Sequence, residues 1–119
     1  MEVSETIRLF EALAHETRLA ILRLLIPVGQ IGLAAGDIGI HLNLPPNNLS
    51  FHLGRLVNAG LIVKRRSGRN HFYGANYARV AALVSFFTND CCANAPDGCL
   101  PECSTAPESP LPGFESPSD

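Results

Sequence analysis

Tryptophan is absent from this chain of 119 residues, and only six Phe and two Tyr supply aromatic area. A core must therefore be built mainly from Leu, Ile, Val and Ala, and a hydrophobic content of 46% permits one. No uninterrupted apolar stretch approaches the roughly 18 residues that suggest a membrane span. The start, Met1-Glu2-Val3-Ser4-Glu5, has no basic region leading into an apolar run. The expectation is a soluble cytoplasmic protein with no membrane partner. Phosphate-binding glycine loops, nucleophile motifs and paired carboxylates within one segment are also missing. A dyad of Cys with His15, His41, His52 or His71 has no such motif around it, so the chain is not expected to be an enzyme.

Acidic residues are missing from residues 45–79, which hold six basic ones. The whole chain carries −2, but the charge is segregated. Residues 1–88 hold all nine Lys and Arg against five acids, a net +4, and residues 89–119 hold six acids and no Lys or Arg. A local basic surface, rather than the whole-chain balance, determines attraction to phosphate.

Apolar spacing predicts a helix over 4–14, with Ile7, Phe10 and Leu13 on one face. A second runs over 15–26, with Leu19, Leu22, Leu25 and Ile26 together, until Pro27-Val28-Gly29 breaks it. After a loop at 27–33, a short helix over 34–42 turns Ile38 and Leu42 inward. Pro is favoured at the first helical position, where its missing N–H costs nothing. A fourth helix is therefore expected from Pro46 to Asn58, with Leu49, Leu53, Leu56 and Val57 as its buried stripe and Gly60 as its stop. Residues 61–66 and 70–73 read as two strands around the turn Ser67-Gly68-Arg69, a hairpin with a basic tip. Asn76 can cap a last helix over 77–89, with Val80, Leu83, Val84 and Phe87 apolar. There are no internal repeats.

This order is that of a winged helix-turn-helix, a mainly α fold of about five helices with a two-stranded β wing. Such a fold places its fourth helix in the DNA major groove and points the first turns at base edges. Asn47, Asn48, Ser50 and His52 are then candidate base or phosphate contacts, since Asn reads adenine with two hydrogen bonds. Lys64, Arg65, Arg66, Arg69 and His71 would meet phosphates or the minor groove. The plainer readings are a solvated hairpin, helix-start asparagines and a buried, hydrogen-bonded His52. The polar-fronted helix directly before the hairpin favours duplex DNA as the partner.

The stretches Ala12-Leu13-Ala14-His15-Glu16-Thr17-Arg18-Leu19-Ala20-Ile21-Leu22, Leu49-Ser50-Phe51-His52-Leu53 and Ala59-Gly60-Leu61-Ile62 resemble the signatures of the ArsR/SmtB family of metal-responsive repressors. The resemblance covers residues 5–90. Phe51 departs from it, because family members commonly carry Arg or another polar residue between the Ser and the His. The resemblance implies a homodimer joined through the first and last helices and bound to a palindromic operator.

The resemblance also implies several places for a metal. Ala34, Gly36 and Gly39 stand where many arsenic sensors of the family carry thiols, residues 77–89 lack the Asp, His and Glu of its zinc sensors, and no Cys precedes position 91. Only Cys91, Cys92, Cys99 and Cys103 remain, all within thirteen positions. Clustered thiols in a reducing compartment bind soft ions or react. Pro96-Asp97-Gly98 is a turn that can fold Cys99 back onto the adjacent pair. Trivalent arsenic takes three sulfur ligands without histidine or carboxylate, which favours arsenite or antimonite at Cys91, Cys92 and Cys99. Cys103 is an alternative third ligand. Such a site resembles that of ArsR relatives whose arsenic site follows the last helix. Zinc, cadmium or lead binding, a redox switch and an arsenic-binding thiol protein without a DNA role are the other readings. The expected organisation is a DNA-binding and dimerisation domain over 1–90, a cysteine segment over 91–103 and a disordered acidic, Pro-rich tail over 104–119.

Overall fold

The computed structural model describes residues 1–90 and Asn94. Its elements are α1 (Val3–Leu13), α2 (Glu16–Leu25), a 3-10 turn (Ile26–Val28), β1 (Leu33–Ala34), α3 (Ala35–Leu42), α4 (Pro46–Ala59), β2 (Ile62–Ser67), β3 (Asn70–Ala75) and α5 (Tyr77–Thr88). The architecture is a winged helix-turn-helix. The expected segment at 91–103 and tail at 104–119 lie outside the described residues, apart from Asn94. Two compact units divide the chain, Met1–Val84 and Ser85–Asp119. The described part of the second is the end of α5, where the Phe86 and Phe87 rings meet edge to face at 5.6 Å, together with Asn89, Asp90 and Asn94.

Local chemistry sets the boundaries in the first unit. Pro46 opens α4 as expected, and Gly60 closes it in the left-handed region with a φ of 86°. The Gly60 N–H donates to the carbonyls of Leu56 and Val57, and the Leu61 N–H donates to Leu56. This paired closure satisfies the carbonyls a helix end leaves bare and turns Leu61 into the core. Asn43 does the same for α3, and three residues, Asn43-Leu44-Pro45, carry the chain into α4. Asn76 caps α5: its Oδ1 accepts from the Arg79 N–H while its Nδ2 donates to the Gly60 carbonyl.

Leu9, Ile21, Leu25, Ile38, Leu53, Leu56, Leu61 and Ile62 form the fully buried centre of the core. On two helices the structure ranks the apolar residues by burial. Leu9 and Thr6 are the buried residues of α1, whereas Ile7 and Phe10 are exposed and form a line with exposed Val3. In α2 the buried set is Ile21, Leu22 and Leu25, with Leu19 and Ile26 exposed. In both helices several apolar residues compete for the inward face, and periodicity alone does not rank them.

The expected β2–β3 hairpin forms within a larger sheet. That sheet has three strands in the order β1-β3-β2, all antiparallel. Leu33 pairs with Tyr73 and Ala34 with Phe72. A two-residue strand carries too little alternation to register in the sequence. Gly32 makes the close approach possible: its φ is 76°, and a Cβ placed there would lie 2.5 Å from the Tyr73 carbonyl oxygen. Tyr77 fastens the same loop, its hydroxyl accepting from the Gly29 N–H at 3.0 Å and donating to the Ile26 carbonyl at 2.6 Å.

Arg18 joins three helices. Its Nε donates to the Ala12 carbonyl near the end of α1 at 2.6 Å, and its Nη1 donates to Nδ1 of His52 on α4 at 3.2 Å. His15 caps α2 by accepting from the Thr17 N–H, and its ring lies 4.6 Å from that of His52. Arginine has no acceptor, so Nδ1 of His52 must be unprotonated. Burial holds the His52 pKa below its ordinary value, and the charges of His15, Arg18 and Arg55 act in the same direction.

Two outcomes follow from this packing. Gly32→Ala combines an unfavourable φ with a backbone clash, and it is expected to cost about 2–4 kcal/mol, read as a fall in the thermal midpoint. The unfolded chain binds a proton at His52 more readily than the folded one. Its contribution to stability is therefore complete above about pH 6.5 and falls as the pH drops from there through the folded-state value. His52→Asn keeps an acceptor for Arg18, so its thermal midpoint should depend less on pH between about 7.5 and 5.5 than that of the parent. Identical pH profiles would contradict a neutral, buried His52.

Candidate nucleic-acid interface

Helix α4 is amphipathic. Leu49, His52, Leu53 and Leu56 are its buried residues, which turns Asn47, Asn48, Ser50, Phe51, Gly54, Arg55 and Asn58 outward. The helical period of 3.6 residues explains this division. It brings three of the four candidate contacts on this helix, Asn47, Asn48 and Ser50, to the exposed side. The fourth, His52, is only 9% exposed and faces Arg18 and His15 instead. It therefore orients the helix from behind.

Three outward side chains on α4, Phe51, Arg55 and Asn58, were not among the sequence candidates. Phe51 is 55% exposed. The Arg55 guanidinium lies over its ring at 5.0 Å, and the ring meets His52 edge-on at 5.4 Å. The spacing of four residues between Phe51 and Arg55 was the available signal, because side chains so spaced are neighbours on a helix.

The wing carries the remaining candidates. Lys64, Arg65, Arg66, Arg69 and His71 are all exposed. The register pairs Lys64 with Tyr73, Arg65 with Phe72 and Arg66 with His71. Paired residues share a face of the sheet and successive residues alternate, so Lys64, Arg66 and His71 stand on one side and Arg65 on the other. Gly68 makes the turn with a φ of 63°, and Arg66 Nε donates to its carbonyl at 3.2 Å. Arg65 is partly committed within the fold: its guanidinium donates to the Ile31 carbonyl at 2.8 Å and covers the Phe72 ring.

Two concavities lie among the described residues of the first unit. One, of about 430 Å³, is a mostly apolar groove between α3 and α4 that includes Gly36, Gly39 and Ile40. The other, of about 410 Å³, gathers Arg8, Arg18, Arg55 and Arg79 with Glu5 and Glu11. Its cations outnumber its acids by four to two; Arg79 is ion-paired with Glu5, and Arg18 is committed to the Ala12 carbonyl and to His52. Among the described residues no group of three or more His, Cys, Asp or Glu is arranged to hold a metal ion. The expected ligands Cys91, Cys92, Cys99 and Cys103 lie outside the described residues. No helix among them is long and apolar enough to cross a membrane.

Comparison with known proteins agrees with this geometry. Residues 13–65 match a family described as a helix-turn-helix domain. The chain is 35% identical over 65 residues to an uncharacterized HTH-type transcriptional regulator, YceK, of Bacillus subtilis, covering 55% of this chain and 64% of YceK. The chain thus spans just under two thirds of that curated relative. Among solved structures, the homodimeric winged helix-turn-helix DNA-binding domain of Mb0332 from Mycobacterium bovis, a possible ArsR-family regulator, is 30% identical with a TM-score of 0.58. That match covers 74% of this chain and 82% of the other. A possible transcriptional regulator for arsenical resistance is 28% identical with a TM-score of 0.58, over 69% of this chain and 81% of that one. The chain carries a helix-turn-helix domain over residues 13–65 and is similar in sequence and fold to transcription regulators, a possible ArsR-family member among them.

Proposed function

We propose that this chain is a homodimeric repressor that leaves its operator when trivalent arsenic is held by Cys91, Cys92 and Cys99, with Cys103 as the alternative third ligand. The observation that carries the DNA half is the outward side of α4, bearing Asn47, Asn48 and Ser50, next to a wing on which Lys64, Arg65, Arg66, Arg69 and His71 are exposed. Side-chain amides suit base edges, and the wing's cations suit phosphates. His52 acts through Arg18 to hold α4 at its angle. Dimerisation is supported by the homodimeric relative from Mycobacterium bovis and by the exposed apolar line Val3, Ile7 and Phe10 on α1.

The arsenic half rests on the donor set and on the likeness to the possible transcriptional regulator for arsenical resistance. All four cysteines of the chain fall between 91 and 103, immediately after α5. Thiolates are soft donors, and three of them complete the coordination of trivalent arsenic. Each thiol passes its proton to a hydroxyl of arsenous acid, which leaves as water. Sensing requires that arsenic bind the free and the DNA-bound protein unequally, and DNA must weaken arsenic binding by the same factor.

The test uses the reduced, full chain and duplexes enriched by it from a random DNA library, with binding read by fluorescence anisotropy. The expected enrichment is a palindrome. Arsenite is expected to weaken binding by roughly 5- to 150-fold, the usual range of coupling, while zinc leaves it unchanged. Cys91→Ser combined with Cys92→Ser should retain DNA affinity and lose the arsenite response. Release by zinc, or only on thiol oxidation, would reassign the signal; loss of DNA binding by the double variant would overturn the separation of the two sites.

On the wing, Lys64→Ala, Arg66→Ala and Arg69→Ala should each weaken binding to all sequences alike. Each should also reduce the slope of log affinity against log salt by about 1. An unchanged slope would remove that residue from the phosphate-contacting set.

A further inference from the structure

The outward face of α4 holds two residues that the fold does not need. Gly54 stands in the middle of the helix, exposed, and a Cβ placed there would meet nothing within 4 Å. Glycine is the least favourable helix residue after proline, and here no turn, positive φ or neighbouring segment calls for it. A bare backbone is otherwise used where a ligand must come close. Phe51 lies one turn earlier, 55% exposed on a face that is otherwise polar. Its ring is held in place by the Arg55 guanidinium at 5.0 Å and the edge of His52 at 5.4 Å. A side chain restrained in this way loses little freedom on binding.

Asn47, Phe51, Gly54 and Asn58 are spaced four, three and four residues apart, so they form one line along the outward face. Residues 45–79 carry six basic side chains and no acid, so the partner complementary to this surface is a polyanion. The major groove offers one apolar group at its base edges, the C5-methyl of thymine, and a phenyl ring is a suitable contact for it.

We propose that Phe51 and Gly54 form the centre of the base-reading face: the bare Gly54 backbone lets α4 seat closely in the groove, and the Phe51 ring reads the methyl of one thymine in each half-site. This inference rests on the DNA-binding reading above and adds the base that is read and the residues that read it. Arg55 backs the ring with positive charge.

The test uses the palindrome enriched by the full chain. Each thymine is replaced in turn by deoxyuridine, which removes the methyl and leaves the pairing edge intact. The parent protein is expected to lose about fourfold in affinity at one symmetry-related thymine per half-site, the equivalent of one buried methyl group. Phe51→Ala should bind the thymine and uracil duplexes equally. Gly54→Ala should raise the thermal midpoint by about 4 °C and weaken operator binding by on the order of tenfold. Failure to enrich any sequence would overturn the DNA-binding reading itself. Sequence-specific binding with no methyl-sensitive position, with the same sensitivity in Phe51→Ala, or with full affinity in Gly54→Ala would overturn this inference alone.

Discussion

The position of α4 depends on one guanidinium. Arg18 leaves α2, reaches back to the Ala12 carbonyl near the end of α1, and reaches forward to Nδ1 of His52 on α4. Hydrophobic packing of Leu53 and Leu56 holds α4 against the core, but apolar contact is non-directional and permits rotation about the helix axis. The bond from Arg18 has a direction. It places His52 on the inner side, and the helical period then places Asn47, Phe51 and Gly54 on the outer one. Burial is the main cause of the lowered His52 pKa, and the Arg18 cation across that bond adds to it.

Elements closed by strong local rules were legible in the sequence. Pro46, Gly60, Asn76 and the turn at Gly68 each act through their own backbone chemistry, and the structure places all four where that chemistry predicts. Faces were less legible. On α1 the buried residues are Thr6 and Leu9, with Ile7 and Phe10 outside. Thr6 is tolerated inside because its hydroxyl donates to the Glu2 carbonyl, and a polar residue satisfied by its own backbone leaves no trace in an apolar pattern.

The candidate interface divides in the same way. Composition pointed to the wing, because charge is additive and visible along the chain. His52 stood between a DNA contact and a buried, hydrogen-bonded residue, because the choice depends on Arg18, thirty-four positions away. The pairing of Phe51 with Arg55 was not drawn from their spacing, though the spacing was there to be used. The same distinction separates the two halves of the proposed function. The DNA half draws on geometry within the first compact unit, and the signal half draws on the donor chemistry of four clustered thiols.

Strand β1 runs straight into α3 without an intervening residue, and its partner β3 is the inner strand of the wing. The first helix of the helix-turn-helix is thus bonded to the wing through backbone hydrogen bonds, with no loop to take up slack. Helix and wing form a ruler of fixed length. A regulator built this way has little freedom to follow a half-site whose length changes by a base pair, since each added pair rotates one contact by about a tenth of a turn relative to the other. Spacing within the half-site then contributes to selectivity alongside its bases.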